Sequence, residues 1–234
     1  MWKINDFNKW NNEGRPINEH VVELNISNSH IKMLGNLENL VNLKHLNCSN
    51  NQLISLEGIE NLVNLEQLYI QNNQLTSLDG IENLVNLKNL SFGDNQLTSL
   101  EGMGNLNSLL FLKELYCSNN QLTSLKGIEN SIDLEILICK NNKLTSLEGI
   151  ENLNSLLFLK RLCCSNNQLT SSVVIEILVE LIKNEINYDF IDYYDYIELN
   201  NLFGNLIKCD DDEIDEYIEN IIKEFNGFQN YILK

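Results

Sequence analysis

The chain has 234 residues, 43% of them apolar, which is enough to build a packed core and too much for a chain that stays unfolded. Its 33 Asp and Glu against 16 Lys and Arg leave a formal net charge of −17, which opposes an electrostatic grip on nucleic acid or an anionic membrane. Leu (41 copies) and Asn (40 copies) supply a third of all residues against one Pro, a bias that no ordinary globular domain needs and that a repeating structure does.

Residues 1–20 hold Trp2, Phe7 and Trp10, with a turn-like run ending at Pro16. They are expected to form a small N-terminal cap whose aromatics plug the end of a repeating core. Lys3, Asp6 and Lys9 break up the first twelve residues, so no apolar leader is read there. The most apolar stretch, residues 173–182, is ten residues long and interrupted by Glu176 and Glu180. It falls well short of the ~20 residues that cross a bilayer. The expected location is intracellular, in the cytoplasm.

From residue 21 to 170 one unit recurs. Leu43, Leu46, Cys48, Asn51 and Leu53 return 22 residues later as Leu65, Leu68, Ile70, Asn73 and Leu75. Further copies begin at Leu87, Leu112, Leu134 and Leu159, and a divergent first copy at Val21, which makes about seven turns. The spacing widens to 25 residues after Leu87 and Leu134, and the extra three residues belong on the side away from the strands. Within a copy Leu46 and Cys48 alternate with Asn47, the period of a short strand, while Leu53, Leu56, Ile59 and Leu62 close the turn. One copy cannot bury its own apolar residues. Stacked copies can, with parallel strands ~4.8 Å apart. Asn51, Asn73, Asn95, Asn120, Asn142 and Asn167 stand where the chain leaves each strand, and a buried carboxamide there can satisfy backbone groups of two turns at once. Ser29 replaces Asn in the first copy, so an irregular turn is expected there.

The pattern L-x-x-L-x-L/C-x-x-N-x-L resembles the leucine-rich repeat family, and the 22-residue period with Leu-x-Gly-Ile-x-Asn-Leu is similar to its short, internalin-like or phosphatase-regulator-like class. The resemblance, over residues 21–170, implies an α/β fold: a leucine-rich repeat solenoid, a curved right-handed horseshoe with a parallel β-sheet on the concave face, to which the residues that follow are expected to add a helical C-terminal cap.

Residues 171–234 carry 15 acidic and 4 basic side chains, so most of the net charge lies there. Three helices are expected: residues 173–185 after Ser172 as N-cap, residues 188–202, and a third marked by Ile214, Tyr217, Ile218, Ile221, Ile222 and Phe225 at helical spacing. The acidic run from Asp210 lacks the glycine of a calcium loop and reads as the cap of that third helix.

Chemistry is sparse. No phosphate loop, zinc-protease motif, nucleophile elbow or Cys-x-x-Cys is present. Cys48, Cys117, Cys139 and Cys164 share one position of the repeat and read as small reduced core residues, although stacking would put Cys117 beside Cys139 and Cys139 beside Cys164, where a disulfide or thiolate metal site is geometrically conceivable. Cys163, at an outward position next to Arg161, is the one thiol placed to be reactive, and it has no general base. The expectation is therefore a non-enzymatic protein with no catalytic, metal or cofactor-binding residues and no cofactor.

What remains is surface. Members of this family generally bind through the concave face, to which positions 3, 5 and 7 of the motif project. Tyr69, Glu114, Tyr116, Ile136, Ile138, Lys140, Arg161 and Cys163 form an apolar centre with a charged rim there. The leading expectation is a monomeric scaffold that binds a protein partner on that face, with no nucleic acid or membrane involved. The alternative, implied by resemblance, is a regulatory adaptor of phosphatase-regulatory or ubiquitin-ligase type that docks through the acidic tail.

Overall fold

The computed structural model describes residues 1–101, 103, 109–150, 159–164 and 166–169. The three helices expected in residues 171–234 lie outside them. Each repeat contributes one three-residue strand: β1 Glu23–Asn25, β2 His45–Asn47, β3 Gln67–Tyr69, β4 Asn89–Ser91, β5 Glu114–Tyr116, β6 Ile136–Ile138 and β7 Arg161–Cys163. Among the described residues they form one parallel sheet in sequence order. Equivalent residues pair in register, so Leu24, Leu46, Leu68, Leu90, Leu115 and Leu137 form a continuous buried column. The inserted residues leave that register intact: β4 pairs with β5 and β6 with β7 at equivalent positions.

Asparagine staples the turns. Each ladder carboxamide, from Asn51 to Asn167, donates from Nδ2 to a carbonyl of its own turn and to the matching carbonyl of the turn before, while its Oδ1 accepts a backbone N–H from that earlier turn. Those bonds measure 2.8–3.2 Å. The residue just before it adopts φ between +54° and +56° at Asn28, Asn50, Asn72, Asp94, Asn119, Asn141 and Asn166. Asn and Asp enter that left-handed region more readily than other side chains. The recurring Asn-Asn pair thus divides its labour: the first residue turns the chain and the second satisfies the backbone. In the first copy Asn51 Oδ1 accepts from both Ser29 and Ile31, and His30 joins Asn28 at positive φ, which is the irregular turn expected there.

The Gly of the Leu-x-Gly-Ile segment is fixed by the close approach of the preceding turn. A Cβ on Gly127 would meet the Leu100 carbonyl oxygen at 2.6 Å, and the backbone there has φ +116°. Its N–H is taken up by Glu129 at 2.8 Å, as Gly80 is by Glu82 at 2.7 Å.

The first turn is covered by α1, Ile4–Asn12, which buries Phe7 and Trp10 in the solenoid core. Trp10 Nε1 donates to the Pro16 carbonyl at 2.7 Å, and the Arg15 guanidinium lies 5.4 Å from the Trp10 ring centroid. Trp2 adds a backbone bridge to Leu24, so the outer edge of β1 is paired.

Candidate functional site

Strand alternation decides what the concave face displays. In β1 to β6 the middle residue is buried and the two flanking residues are partly exposed. Tyr69, Glu114, Tyr116, Ile136 and Ile138 all occupy such flanking positions, and Lys140 follows β6 on the same side, also partly exposed. Register brings Glu114, Ile136 and Arg161 into one row and Tyr116, Ile138 and Cys163 into the next. The strands therefore bring all of the expected residues but Cys163 to one side of the sheet as partly exposed side chains.

Cys163 corrects the expectation of an exposed thiol. It stands in register with Ile138 at an outward position, yet it is only 2% exposed. In β7 the alternation breaks, Arg161 and Leu162 being partly exposed and Cys163 buried, so the thiol is not presented to solvent. Cys48, Cys117 and Cys139 are buried in the core as free thiols, and burial pushes the Cys48 and Cys117 thiols up to about 12. A thiol so reluctant to ionise is inert as a nucleophile at neutral pH.

Two features of the face go beyond what the sequence pattern suggests. The first is the rim just before the strands, where Lys44, Glu66, Lys88, Lys113, Glu135 and Lys160 follow one another on neighbouring turns. Glu66 accepts from Lys44 and Lys88, each at 2.7 Å. Glu135 is bracketed likewise by Lys113 at 2.9 Å and Lys160 at 2.5 Å. The hydrogen bonds from Lys44 and then Lys88 hold the Glu66 carboxyl down to about 2, and those from Lys160 and Lys113 lower Glu135. The row is visible in the sequence only when equivalent positions of successive copies are read as a column; along any one copy it is hidden.

The second is the setting of the tyrosines. Tyr116 OH donates to Glu114 Oε2 at 3.1 Å, and Tyr69 OH donates to Gln67 Oε1 at 3.3 Å. Partial burial, then the charge of Glu114, raises both phenols. One carboxylate thus acts on tyrosines two strands apart, across Ser91 of β4, which is in register with both.

A family model of leucine-rich repeats, taken two copies at a time, matches residues 41–83, 63–108, 85–130 and 111–152. The chain is a leucine-rich repeat protein. Its solenoid is similar to an internalin, InlF, of Listeria monocytogenes, with 25% identity and a TM-score of 0.57 over 67% of this chain and 45% of that one. It is also similar to a leucine-rich repeat protein of Leptospira interrogans, at 29% identity and a TM-score of 0.52 over 63% of this chain and 43% of the other. YopM of Yersinia enterocolitica matches at 29% identity and a TM-score of 0.52, over 64% of this chain and 29% of its own. This leucine-rich repeat chain therefore spans less than half the length of each of those proteins. No curated protein matches the sequence. The repeats supply the kind of scaffold on which such proteins present a binding surface, and the family and its internalin relatives are typically non-enzymatic.

Proposed function

We propose that the concave face from Tyr69 to Arg161 recognises a protein partner and that the chain works as a preformed, non-enzymatic scaffold. One observation carries this reading: Tyr116, Ile136 and Ile138 form a partly exposed aromatic and aliphatic centre, edged by Glu114, Lys140 and Arg161, on strands locked in register. Interfaces concentrate their binding energy in such centres, and a surface already ordered before binding costs little entropy to use. The partly exposed centre distinguishes β5 to β7 from β1 and β2, whose outward positions hold Glu23, Asn25, His45 and Asn47.

The test is cross-linked capture from native extract by the wild type and by a variant carrying Tyr116→Ala and Ile138→Asp, with melting and circular dichroism confirming its fold. Loss of specific partners in the variant supports the concave face. Retention of the same partners by the variant, together with their loss on deletion of residues 171–234, would transfer recognition to the acidic tail.

A further inference from the structure

The repeat units contribute four carboxylates at or immediately before the strands: Glu23, Glu66, Glu114 and Glu135. Three have a basic side chain within 4.0 Å. Glu23 faces His45 Nδ1 at 3.6 Å, and Glu66 and Glu135 are each held between two lysines. Glu114 differs: among the described residues no Lys, Arg or His lies within ion-pair distance of it, and its hydrogen bond comes from Tyr116. Among the described residues, the carboxylate in the middle of the sheet is the one without a basic side chain at ion-pair distance.

Its surroundings combine polar side chains with two aromatic rings. Register sets Gln67, Asn89 and Glu114 in one row and Tyr69, Ser91 and Tyr116 in the next. The two tyrosines stand two strand spacings apart, roughly 9.6 Å at the backbone. Ser91 between them is too short to fill the space. Each phenol donates its proton inside the group, to Gln67 Oε1 or Glu114 Oε2, which leaves the phenol oxygens and the second Glu114 oxygen as acceptors. Arg161 sits on the far side, two strands beyond Glu114, and its effect on Tyr116 is smaller than that of Glu114.

The geometry points to a receptor slot for a single arginine side chain of the partner, formed by Tyr69, Ser91 and Tyr116 with Glu114 as its anionic end. Guanidinium is the chemistry that fits: it is planar, carries five donors and no acceptor, and stacks on aromatic rings. A hydrogen-bonded pair with Glu114 would be charge-assisted. The chain's net charge of −17 favours the approach of a basic partner.

This inference rests on the concave face being the recognition surface, and its test is arranged so that the two can fail separately. The full chain is labelled with 3-fluorotyrosine, and Tyr69→Phe and Tyr116→Phe variants assign the two fluorine signals. It is then titrated with a blocked arginine tripeptide, acetyl-Gly-Arg-Gly-amide, and with the same peptide carrying neutral citrulline. Expected is a joint shift of the Tyr69 and Tyr116 signals on one saturation curve, with the other six tyrosines unmoved. Citrulline should give no such response, and Glu114→Gln should weaken the arginine peptide about tenfold. Equal responses to arginine and citrulline, proportional shifts in all eight tyrosines, or no shift at Tyr69 and Tyr116 would each overturn the slot. Partner capture with Ile138→Asp runs alongside. If that variant loses the partner while arginine gives no response, the slot falls and the wider surface stands; if it keeps the partner, both fall.

Discussion

The rim from Lys44 to Lys160 and the concave face from Tyr69 to Arg161 run along the same strands, one residue apart in the chain, and use charge in opposite ways. On the rim each glutamate is neutralised from both sides by lysines of neighbouring turns. On the face Glu114 has a phenol and no cation among the described residues. Polar groups that are satisfied within the solenoid hold its turns together, as the asparagine ladder and the rim do. Groups left with spare valences on an ordered surface are available to something else. The comparison separates columns that build the molecule from columns that meet a partner.

The largest effect expected from breaking a building column is at Asn120. Replacing it with Leu removes the acceptor for the Leu97 N–H and the donor for the Phe92 and Cys117 carbonyls, all buried. A loss of about 3 kcal/mol in urea-melting stability is expected. Gly127→Ala should cost about 2 kcal/mol, since the added methyl meets the Leu100 carbonyl from a left-handed backbone. Cys48 and Cys117 should resist a neutral-pH alkylating reagent in the native protein and react once urea unfolds it, read by mass spectrometry.

The rim should show its contribution through pH. Glu66 is held down to about 2 in the fold, below its ordinary range, so its pairing stabilises fully above about pH 4.5 and is lost as the pH falls toward 2. The difference in urea midpoint between wild type and Glu66→Gln should shrink across that window and also with added salt. The smallest effect belongs to the face: Glu114→Gln should change stability by no more than about 0.5 kcal/mol while weakening recognition. A large stability loss there would return Glu114 to the building columns.

The solenoid is legible in the sequence because its period repeats each signal many times over: Leu46 alternating with Asn47 gives the strand, and Asn51 recurring 22 residues later gives the ladder. The concave residues follow from the same alternation, since strand position fixes the side on which Tyr116 and Ile138 emerge. Cys163 departs from that reading because β7 buries its last residue, where β1 to β6 bury their middle one. The role of Asn119 beside Asn120 is hidden because a positive φ leaves no hydrophobic pattern. The slot around Ser91 escapes a reading along the chain because it consists of a small residue between two large ones on three separate strands, a relation that exists only across copies.

The most direct test of recognition by the concave face is site-specific photo-cross-linking in native extract, with benzoylphenylalanine placed either at Ile138 or at Val63, an exposed apolar position outside the strands. A partner that cross-links from position 138 and not from 63 is the predicted result. The same partner captured from position 63 alone, or equally from both, would contradict the assignment of recognition to the concave face.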